Sequence, residues 1–392
     1  MTAKQDIKDT GLLQNSAVPQ ASQAFRFYDN REKYLLFVTT CSEKEAIATR
    51  IGHELDRITP TPPALRLFDA GMGDASVLNE VLFNLHYRFP TVPFLIVAKE
   101  ISLEDVRLSL VKMPSHFVEH PQTVLVITNM KYSEAPTLQP SATQKPVKRW
   151  EVALQGKTTH EFLRQIHEMH SILEEGWQTA LSPKTGNPLY VQPSALIIYR
   201  ADQKFPLTSV IPPAGPMRAD YDLIICAQPY RSRSSAEAKV KYVLGPLAAS
   251  LGPGGRLVVV QSTGYDPGME IIRHIWPDEE PFRTPRHDLI EEMKKVLAGR
   301  GIPLTYSGNS DDAALFKYHL HALPTEIGSN FGTSFLLAAW NAAVYVAQID
   351  DAKLEPVLRT GQYLEATRKV LKHHGGLWFL DESFVVTRRR ES

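Results

Sequence analysis

Cysteine is scarce in this sequence, and its scarcity excludes two classes of protein. The 392 residues include two cysteines, Cys41 and Cys226. Two cysteines cannot supply a disulfide framework or a cysteine-rich zinc site. Three histidines of the segment 160–170 lack the His-Glu-x-x-His spacing of zinc enzymes. We therefore expect no metal site.

An excess of charge of one sign is also missing. Lysine and arginine total 43, and aspartate and glutamate total 43. The densest basic cluster is the short run Arg388–Arg390 near the end of the chain. Because nucleic acids and anionic membranes attract strongly basic surfaces, this balance argues against both partners.

Long hydrophobic runs are absent as well. The longest apolar stretch, 334–347, contains Asn341 and is too short to span a bilayer. The first 23 residues are polar and lack the apolar core of a signal peptide. These features predict a soluble cytoplasmic protein that begins with a disordered tail.

Short apolar runs alternate with helical patterns through most of the chain. Runs typical of buried parallel strands occupy 65–69, 94–100 and 123–129, and the same alternation returns at 221–228 and 251–260. Strands and helices that alternate at this spacing form doubly wound α/β sheets. A sixth strand is expected within 304–323, and the last is expected at 377–386.

The alternation of strands and helices is interrupted twice, and these interruptions suggest how the chain is divided. A Pro- and Ser-rich stretch opens an insertion at 134–217, which could form a lid, a small subdomain or the contact of a homodimer. Two Ser/Thr-x-x-Glu capping boxes, at Ser42 and Thr158, predict helix starts. The expected divisions are a tail (1–22), a helical lid (23–63), a first half-domain (64–133), the insertion (134–217), a second half-domain (218–325), a helical substrate insertion (326–373) and a last strand with a basic tail (374–392).

A glycine turn after the first strand is the most informative motif. It reads Asp69-x-Gly71-x-Gly73 and leads into an amphipathic helix. Strand, glycine turn and helix bring backbone close to nucleotide-like ligands. An acid in the turn disfavours a phosphate and suits a ligand with a cationic end, such as S-adenosylmethionine. The pattern resembles motif I of the class I methyltransferases, and it differs from the Gly-x-Gly-x-x-Gly of nicotinamide-binding enzymes.

Polar residues at the ends of the following strands extend this prediction. Ligands of doubly wound sheets bind beyond the carboxyl ends of the strands. Glu100 could hold both ribose hydroxyls, Asn129 could contact the adenine edge, and Ala227 and Gln228 precede Tyr230 where the methyl group would be delivered. Asn129 could instead be only a turn residue, and Gln228 could serve only to satisfy loop backbone.

A narrower resemblance is to the histamine N-methyltransferases and their small-molecule relatives. It rests on an aromatic entry segment followed by Ser42-Glu43, on 100–105, on 222–228 and on Ser383-Phe384. The resemblance implies a class I methyltransferase fold, which is a mostly parallel seven-stranded sheet with an antiparallel last strand. It implies cofactor contacts at Gly71, Glu100, Asp105, Ala227 and, near the insertion, Ser133.

The resemblance also implies that Glu43 meets an amine substrate. We expect S-adenosylmethionine-dependent methylation of a small molecule at the nitrogen of an amine or amino-acid-like compound. Methylation of a carboxylate or hydroxyl oxygen and a non-catalytic cofactor-binding protein remain alternatives. Glu43 also fits a simple helix start. The expected substrate-binding residues are Tyr28, Glu43, Tyr230, Asp381 and Glu382, and Gln228, Tyr230 and Glu43 are the expected catalytic ones.

Overall fold

Strands and helices alternate along the chain as the sequence predicts. The computed structural model describes residues 31–140, 145–183, 186–308, 310–322 and 331–390. The predicted tail (1–22) and Tyr28 lie outside the described residues. Within the described residues, no helix has the length and apolar character needed to cross a membrane.

Six of the strands closely follow the predicted apolar runs, and the others lie in the predicted insertion or within 304–323. The strands are β1 (Leu65–Asp69), β2 (Phe94–Lys99), β3 (Thr123–Thr128), β4 (Lys148–Leu154), β5 (Thr179–Leu181), β6 (Pro188–Tyr190), β7 (Ser194–Arg200), β8 (Tyr221–Ala227), β9 (Leu251–Ser262), β10 (Leu304–Ser307), β11 (Leu315–His319) and β12 (Trp378–Arg388).

The helices pack on both faces of the main sheet and beside it. They are α1 (Arg31–Thr40), α2 (Glu43–Leu55), α3 (Ser76–Arg88), α4 (Leu103–Lys112), α5 (Pro114–Glu119), α6 (Thr159–His167), α7 (His170–Gly176), α8 (Ala236–Lys239), α9 (Gly245–Ala249), α10 (Pro267–Ile275), α11 (Arg286–Leu297), α12 (Asp311–Ala314), α13 (Thr333–Val346), α14 (Asp351–Thr360) and α15 (Gln362–His374). A π-helical segment, Val240–Leu244, joins α8 to α9.

The main sheet confirms the predicted class and corrects its size. Its order is β10-β12-β9-β8-β1-β2-β3-β7-β4, with β11 also paired to β12. The strands from β9 to β3 are parallel to one another, and β12 runs antiparallel to β9. Among the described residues the sheet has ten strands rather than seven. The insertion contributes β4 and β7, and the region expected to hold a sixth strand holds both β10 and β11.

Side chains alternate between two cores on the opposite faces of the sheet. Leu65 and Leu67 pack in the core that includes α2 and α3. Phe68 packs in the other core, with residues of α9 and α11. Adjacent strand residues point to opposite faces, so β1, β2, β3 and β8 each contribute to both cores.

Of the two predicted capping boxes, one forms. The Thr158 hydroxyl accepts from the Glu161 N–H, and the Glu161 carboxylate accepts from the Thr158 N–H. Ser42 does not cap α2 with its side chain. Its hydroxyl accepts instead from the His319 N–H at 3.0 Å, because a β-bridge between Cys41 and Leu320 brings that backbone alongside. A tertiary partner therefore replaces the local one.

A cluster of histidines on α3, on α5 and directly after α5 makes stability sensitive to pH. The His86 ring lies 5.1 Å from the His116 ring and 5.2 Å from the His120 ring, and His116 Nε2 donates to Asn79 Oδ1 at 3.0 Å. Burial lowers the pKa of His116 to about 3, and the neighbouring His86 adds to the effect. The unfolded chain therefore binds a proton below about pH 6.5 that the folded chain does not.

Between pH 7 and pH 5 we expect protonation of His116 in the unfolded chain to lower the free energy of unfolding by about 2 kcal/mol, which is the loss of wild type relative to a variant that cannot titrate at this position. Urea unfolding of His116→Gln at both pH values measures this contribution, because glutamine does not titrate. The same substitution at the exposed His160 is the matched control. An equal pH dependence in wild type and H116Q would contradict the prediction.

Candidate active site

A cavity of about 780 Å³ opens where the carboxyl ends of the central strands meet. Most of the predicted site residues line it. They are Glu43, Asp69, Gly71, Gly73, Glu100, Asp105, Asn129, Ser133, Ala227, Gln228 and Tyr230. Residues more than 180 positions apart in sequence therefore share one cavity.

The cavity lies where the strand order reverses. β1 lies between β2 and β8, and the chain runs outward from it to β3 on one side and to β9 on the other. Asp69, the last residue of β1, pairs in register with Ala98 on one side and Ile225 on the other. Such a switch point is where open α/β sheets bind their ligands.

The glycine turn and the end of β2 are joined by the Glu100 carboxylate. Its Oε2 accepts from the Gly73 N–H at 2.9 Å, and its Oε1 accepts from the N–H groups of Ile101 and Ser102 at 2.6 and 2.9 Å. Gly73 has a φ of +53°, and a Cβ there would lie 2.9 Å from the Tyr34 hydroxyl oxygen. Glycine is therefore required for the turn to pass beneath α1.

Carboxyl groups form one end of the cavity, which we call the acidic end. Its members are Glu43, Asp69, Asp74, Glu100 and Asp105. Burial raises the pKa of Asp69 to about 7, and Glu100 adds to the effect although the Gly71 N–H opposes it. Burial and then Glu100 raise the pKa of Asp105, also to about 7. These shifts mark a site that favours a bound cation.

Asp74 differs from Asp69 and Asp105 because its carboxylate has a cationic partner. Its carboxylate accepts from Lys112 Nζ at 2.6 Å, from the Ser76 hydroxyl at 2.5 Å and from the Tyr34 hydroxyl at 3.0 Å. Burial opposes ionisation, but the Lys112 and Ser76 hydrogen bonds prevail and lower the pKa of Asp74. Asp74 therefore ties α1 to the glycine turn.

Asp381 and Glu382 do not line the cavity, contrary to the prediction. β12 lies inside the sheet, where Asp381 pairs in register with Ser262 and Glu382 with Gln261. Asp381 is fully buried, and burial raises its pKa well above the usual range. Glu382 accepts from Arg286 Nη1 at 3.0 Å and from Gln261 Nε2 at 2.8 Å. The Glu382 carboxylate is thus part of an internal ion pair.

The Asn129 amide also has internal partners rather than a free face. Its Nδ2 donates to the carbonyls of Gly176 and Gln192 at 2.8 and 2.9 Å, and its Oδ1 accepts from the Ser194 N–H at 2.9 Å. The amide therefore fixes the insertion against the end of β3. The predicted contact between this amide and an adenine edge does not fit these bonds.

Gln228 and Tyr230 line the cavity, with their polar atoms bonded to β9 and β12. Gln228 has a φ of +51°, and its Nε2 donates to the Ser262 hydroxyl at 2.8 Å and to Asp381 at 3.3 Å. The Tyr230 hydroxyl donates to Gln261 Oε1 at 3.1 Å. Both residues fix the loop after β8 at the edge of the cavity.

Five cationic residues at the cavity were missed by the sequence analysis. They line it together with several tyrosines and are Lys44, Lys99, Lys131, Arg231 and Lys239. A signal for Lys99 was present, because alternation along β2 places it on the face opposite to that of Ala98. Tyr190 comes from β6 in the insertion, and no local pattern predicted its position.

Comparison with known proteins gives only distant structural similarity. No protein-family model and no curated protein matches the chain. A geranyl diphosphate methyltransferase is 10% identical with a TM-score of 0.31, over 87% of this chain and 78% of that one. Phosphoethanolamine N-methyltransferase 2 of Haemonchus contortus is 7% identical with a TM-score of 0.33, over 93% of this chain and 59% of that one.

A third solved structure, a putative type II methyltransferase of Anaeromyxobacter dehalogenans, is 11% identical with a TM-score of 0.35. It is matched over 87% of this chain and 95% of its own. TM-scores this low do not establish a family, so function has to be inferred from the chain's own residues.

Proposed function

We propose that this chain binds S-adenosylmethionine in the cavity and catalyses transfer of its methyl group to a small molecule. The observation that carries the proposal is the position of Glu100. This carboxylate follows β2, accepts a hydrogen bond from the glycine turn after β1, and lies at the switch point of the sheet. Three of its roughly four acceptor positions are taken by backbone N–H groups, so this fixed carboxylate can still accept a hydrogen bond from a ribose hydroxyl.

The acidic end fits the cationic part of the same ligand. Asp69 and Asp105 have no ion-pair partner among the described residues, and burial makes their ionisation costly. A bound sulfonium and ammonium would supply the missing positive charge. Gly71 and Gly73 would let the backbone approach the ligand closely. When bound, the cofactor supplies a methyl group on a leaving group that its own charge activates.

The chain's own contribution is then to orient the acceptor and to exclude water. Tyr34 from α1 and Tyr345 from α13 cover the acidic end. Gln228 and Tyr230 are held by β9 and β12 beside the end of β8. Rigid placement of this kind can supply most of the acceleration of a displacement reaction.

For the acceptor, we propose the nitrogen of an amine or amino-acid-like compound. Glu43 lines the cavity, is 5% exposed and pairs with Lys44 at 2.8 Å. Burial lowers the pKa of Lys44, but Glu43 and other nearby carboxylates outweigh burial and raise it. Turnover of methyl-labelled cofactor against a metabolite pool tests the activity. Nitrogen and oxygen products distinguish the two enzymatic possibilities, and cofactor binding without any product indicates a binding protein.

Binding of S-adenosylmethionine is expected to strengthen as the pH rises from 6 to 7.5. Asp69 and Asp105, each with a pKa near 7, are partly protonated at pH 6. A cationic ligand favours their ionised forms, so binding releases protons and the affinity rises by up to about ten-fold for each carboxyl. Calorimetry in buffers of different ionisation enthalpy measures the protons released.

Adenosine is the control ligand, because it carries the ribose but no sulfonium or ammonium. Its affinity should be nearly independent of pH over the same interval. Weaker binding of S-adenosylmethionine at pH 7.5 than at pH 6, in a protein that stays folded, would contradict the assignment of a cationic ligand to the acidic end.

A further inference from the structure

Cationic side chains line the same cavity as the acidic end. We call the part that they line the basic end and define it by Lys99, Lys131, Arg231 and Lys239. Its lining residues from 129–133, 187–190 and 229–243 that the structure describes include no carboxylate. One cavity therefore presents both negative and positive side chains to a ligand.

Short contacts connect the residues of the basic end. Lys99 Nζ lies 4.7 Å from the centre of the Tyr132 ring, and the Tyr132 hydroxyl donates to the Pro229 carbonyl at 2.8 Å. Tyr230 follows Pro229 in the chain, and Lys239 Nζ lies 4.7 Å from the centre of the Tyr230 ring. Each of these two ammonium groups therefore lies over an aromatic ring.

Lys99 is a buried member of this group whose ammonium lacks an ionic partner among the described residues. It is 9% exposed and lines the cavity, and among the described residues its ammonium has no hydrogen bond or ion pair. Burial lowers the pKa of this ammonium, although the adjacent Glu100 opposes the effect. Lys239 differs, because its ammonium donates to the Thr284 hydroxyl. A buried unpaired ammonium is costly unless an anion accompanies it.

We propose that the methyl acceptor carries an anionic group, a carboxylate or a phosphate, and that Lys99 binds it at the basic end. The inference rests on the proposed function, since it concerns the second ligand of the same cavity. An acceptor with an amine and an acid at opposite ends would match the two charges of the cavity. Tyr132 and Tyr230 would contact the apolar part between them.

The cofactor also has a carboxylate. The anion that Lys99 binds is therefore either this carboxylate or the anionic group of the acceptor, and the two have to be distinguished. Lys44 lines the acidic end and is therefore placed for that group. Val97 packs in the core on the side of α9 and α11, and alternation places Lys99 on that same face. Asp69 shares its face with Leu67, which packs in the other core. Lys99 and Asp69 therefore lie on opposite faces of the sheet. For this reason we assign Lys99 to the acceptor rather than to the cofactor.

The test compares three probes of similar shape on protein saturated with S-adenosylhomocysteine. The probes are benzoate, phenyl phosphate and neutral benzamide, titrated by calorimetry into wild type, Lys99→Met and Lys241→Met. Lys241→Met is a matched control, because it removes the same charge from an exposed position that does not line the cavity. Binding of S-adenosylhomocysteine itself is measured first and tests the proposed function separately.

We expect wild type and K241M to bind one anionic probe at least ten-fold more tightly than benzamide, and K99M to lose that preference. The probe that binds more tightly, benzoate or phenyl phosphate, shows whether the site prefers a carboxylate or a phosphate. No anion preference in wild type, or a preference that K99M retains, would overturn the proposal. It would also be overturned if K99M weakened S-adenosylhomocysteine but not methylthioadenosine, because Lys99 would then bind the cofactor's carboxylate. If S-adenosylhomocysteine does not bind, the same titrations on the free protein decide the anion question alone.

Discussion

Replacing Glu100 with glutamine is expected to weaken S-adenosylhomocysteine binding by about 100-fold. The amide keeps one acceptor oxygen, so either the Gly73 N–H or the N–H groups of Ile101 and Ser102 lose their acceptor. The ribose hydroxyls would face an amide instead of a carboxylate, and hydrogen bonds to charged groups contribute about 1.5–3 kcal/mol each. The loss of one such bond, near the upper end of this range, corresponds to a change of this size in the dissociation constant.

Calorimetry with Glu100→Gln measures the loss, and thermal unfolding without ligand shows whether the protein stays folded. Glu104→Gln is the matched control, because Glu104 lies on the same segment, pairs with Arg107 at 3.7 Å and does not line the cavity. A ligand without ribose hydroxyls should be affected less by E100Q than adenosine is. Equal binding by folded E100Q and wild type would remove Glu100 from the site and the main support for the proposed function.

Replacing Glu382 with leucine is expected to lower the free energy of unfolding by about 3–5 kcal/mol. Glu382 and Arg286 are 4% and 5% exposed, and the Glu382 carboxylate also accepts from the Arg286 N–H at 2.8 Å. Leucine would leave the Arg286 guanidinium buried, with the exposed Asp311 as its remaining carboxylate partner. Urea unfolding at pH 7.5 measures the loss.

Two controls separate the buried ion pair from a general effect of losing charge. Glu355→Leu breaks the exposed pair with Arg359 on α14 and should cost less than about 1 kcal/mol. The double variant Arg286→Met with Glu382→Leu should recover part of the stability, because no unpaired charge remains buried. If E382L were as stable as wild type but bound the acceptor poorly, the original prediction of a substrate-binding Glu382 would be right instead.

Most of the fold could be predicted because its signals are local. Buried parallel strands need continuous apolar runs, and Leu65–Asp69 and Phe94–Lys99 have such runs. Parallel connection then brings strand ends to one edge, so Asp69 and Glu100 fall together at the cavity without any knowledge of side-chain packing. The number of strands was not predictable in the same way, because β4 and β7 belong to an insertion whose pairing is non-local.

The same difference between local signals and non-local contacts separates the site residues that could be predicted from those that could not. Sequence alone placed Asp69, Gly73 and Glu100 beside one another, since strand order and the glycine turn determine their positions. Only the tertiary structure decided that Glu382 pairs internally with Arg286 and that Lys99 lies against Tyr132. A periodicity shows which face a residue occupies, but the partners on that face come from distant segments, and these partners determine whether a charge binds a ligand or stabilises the core.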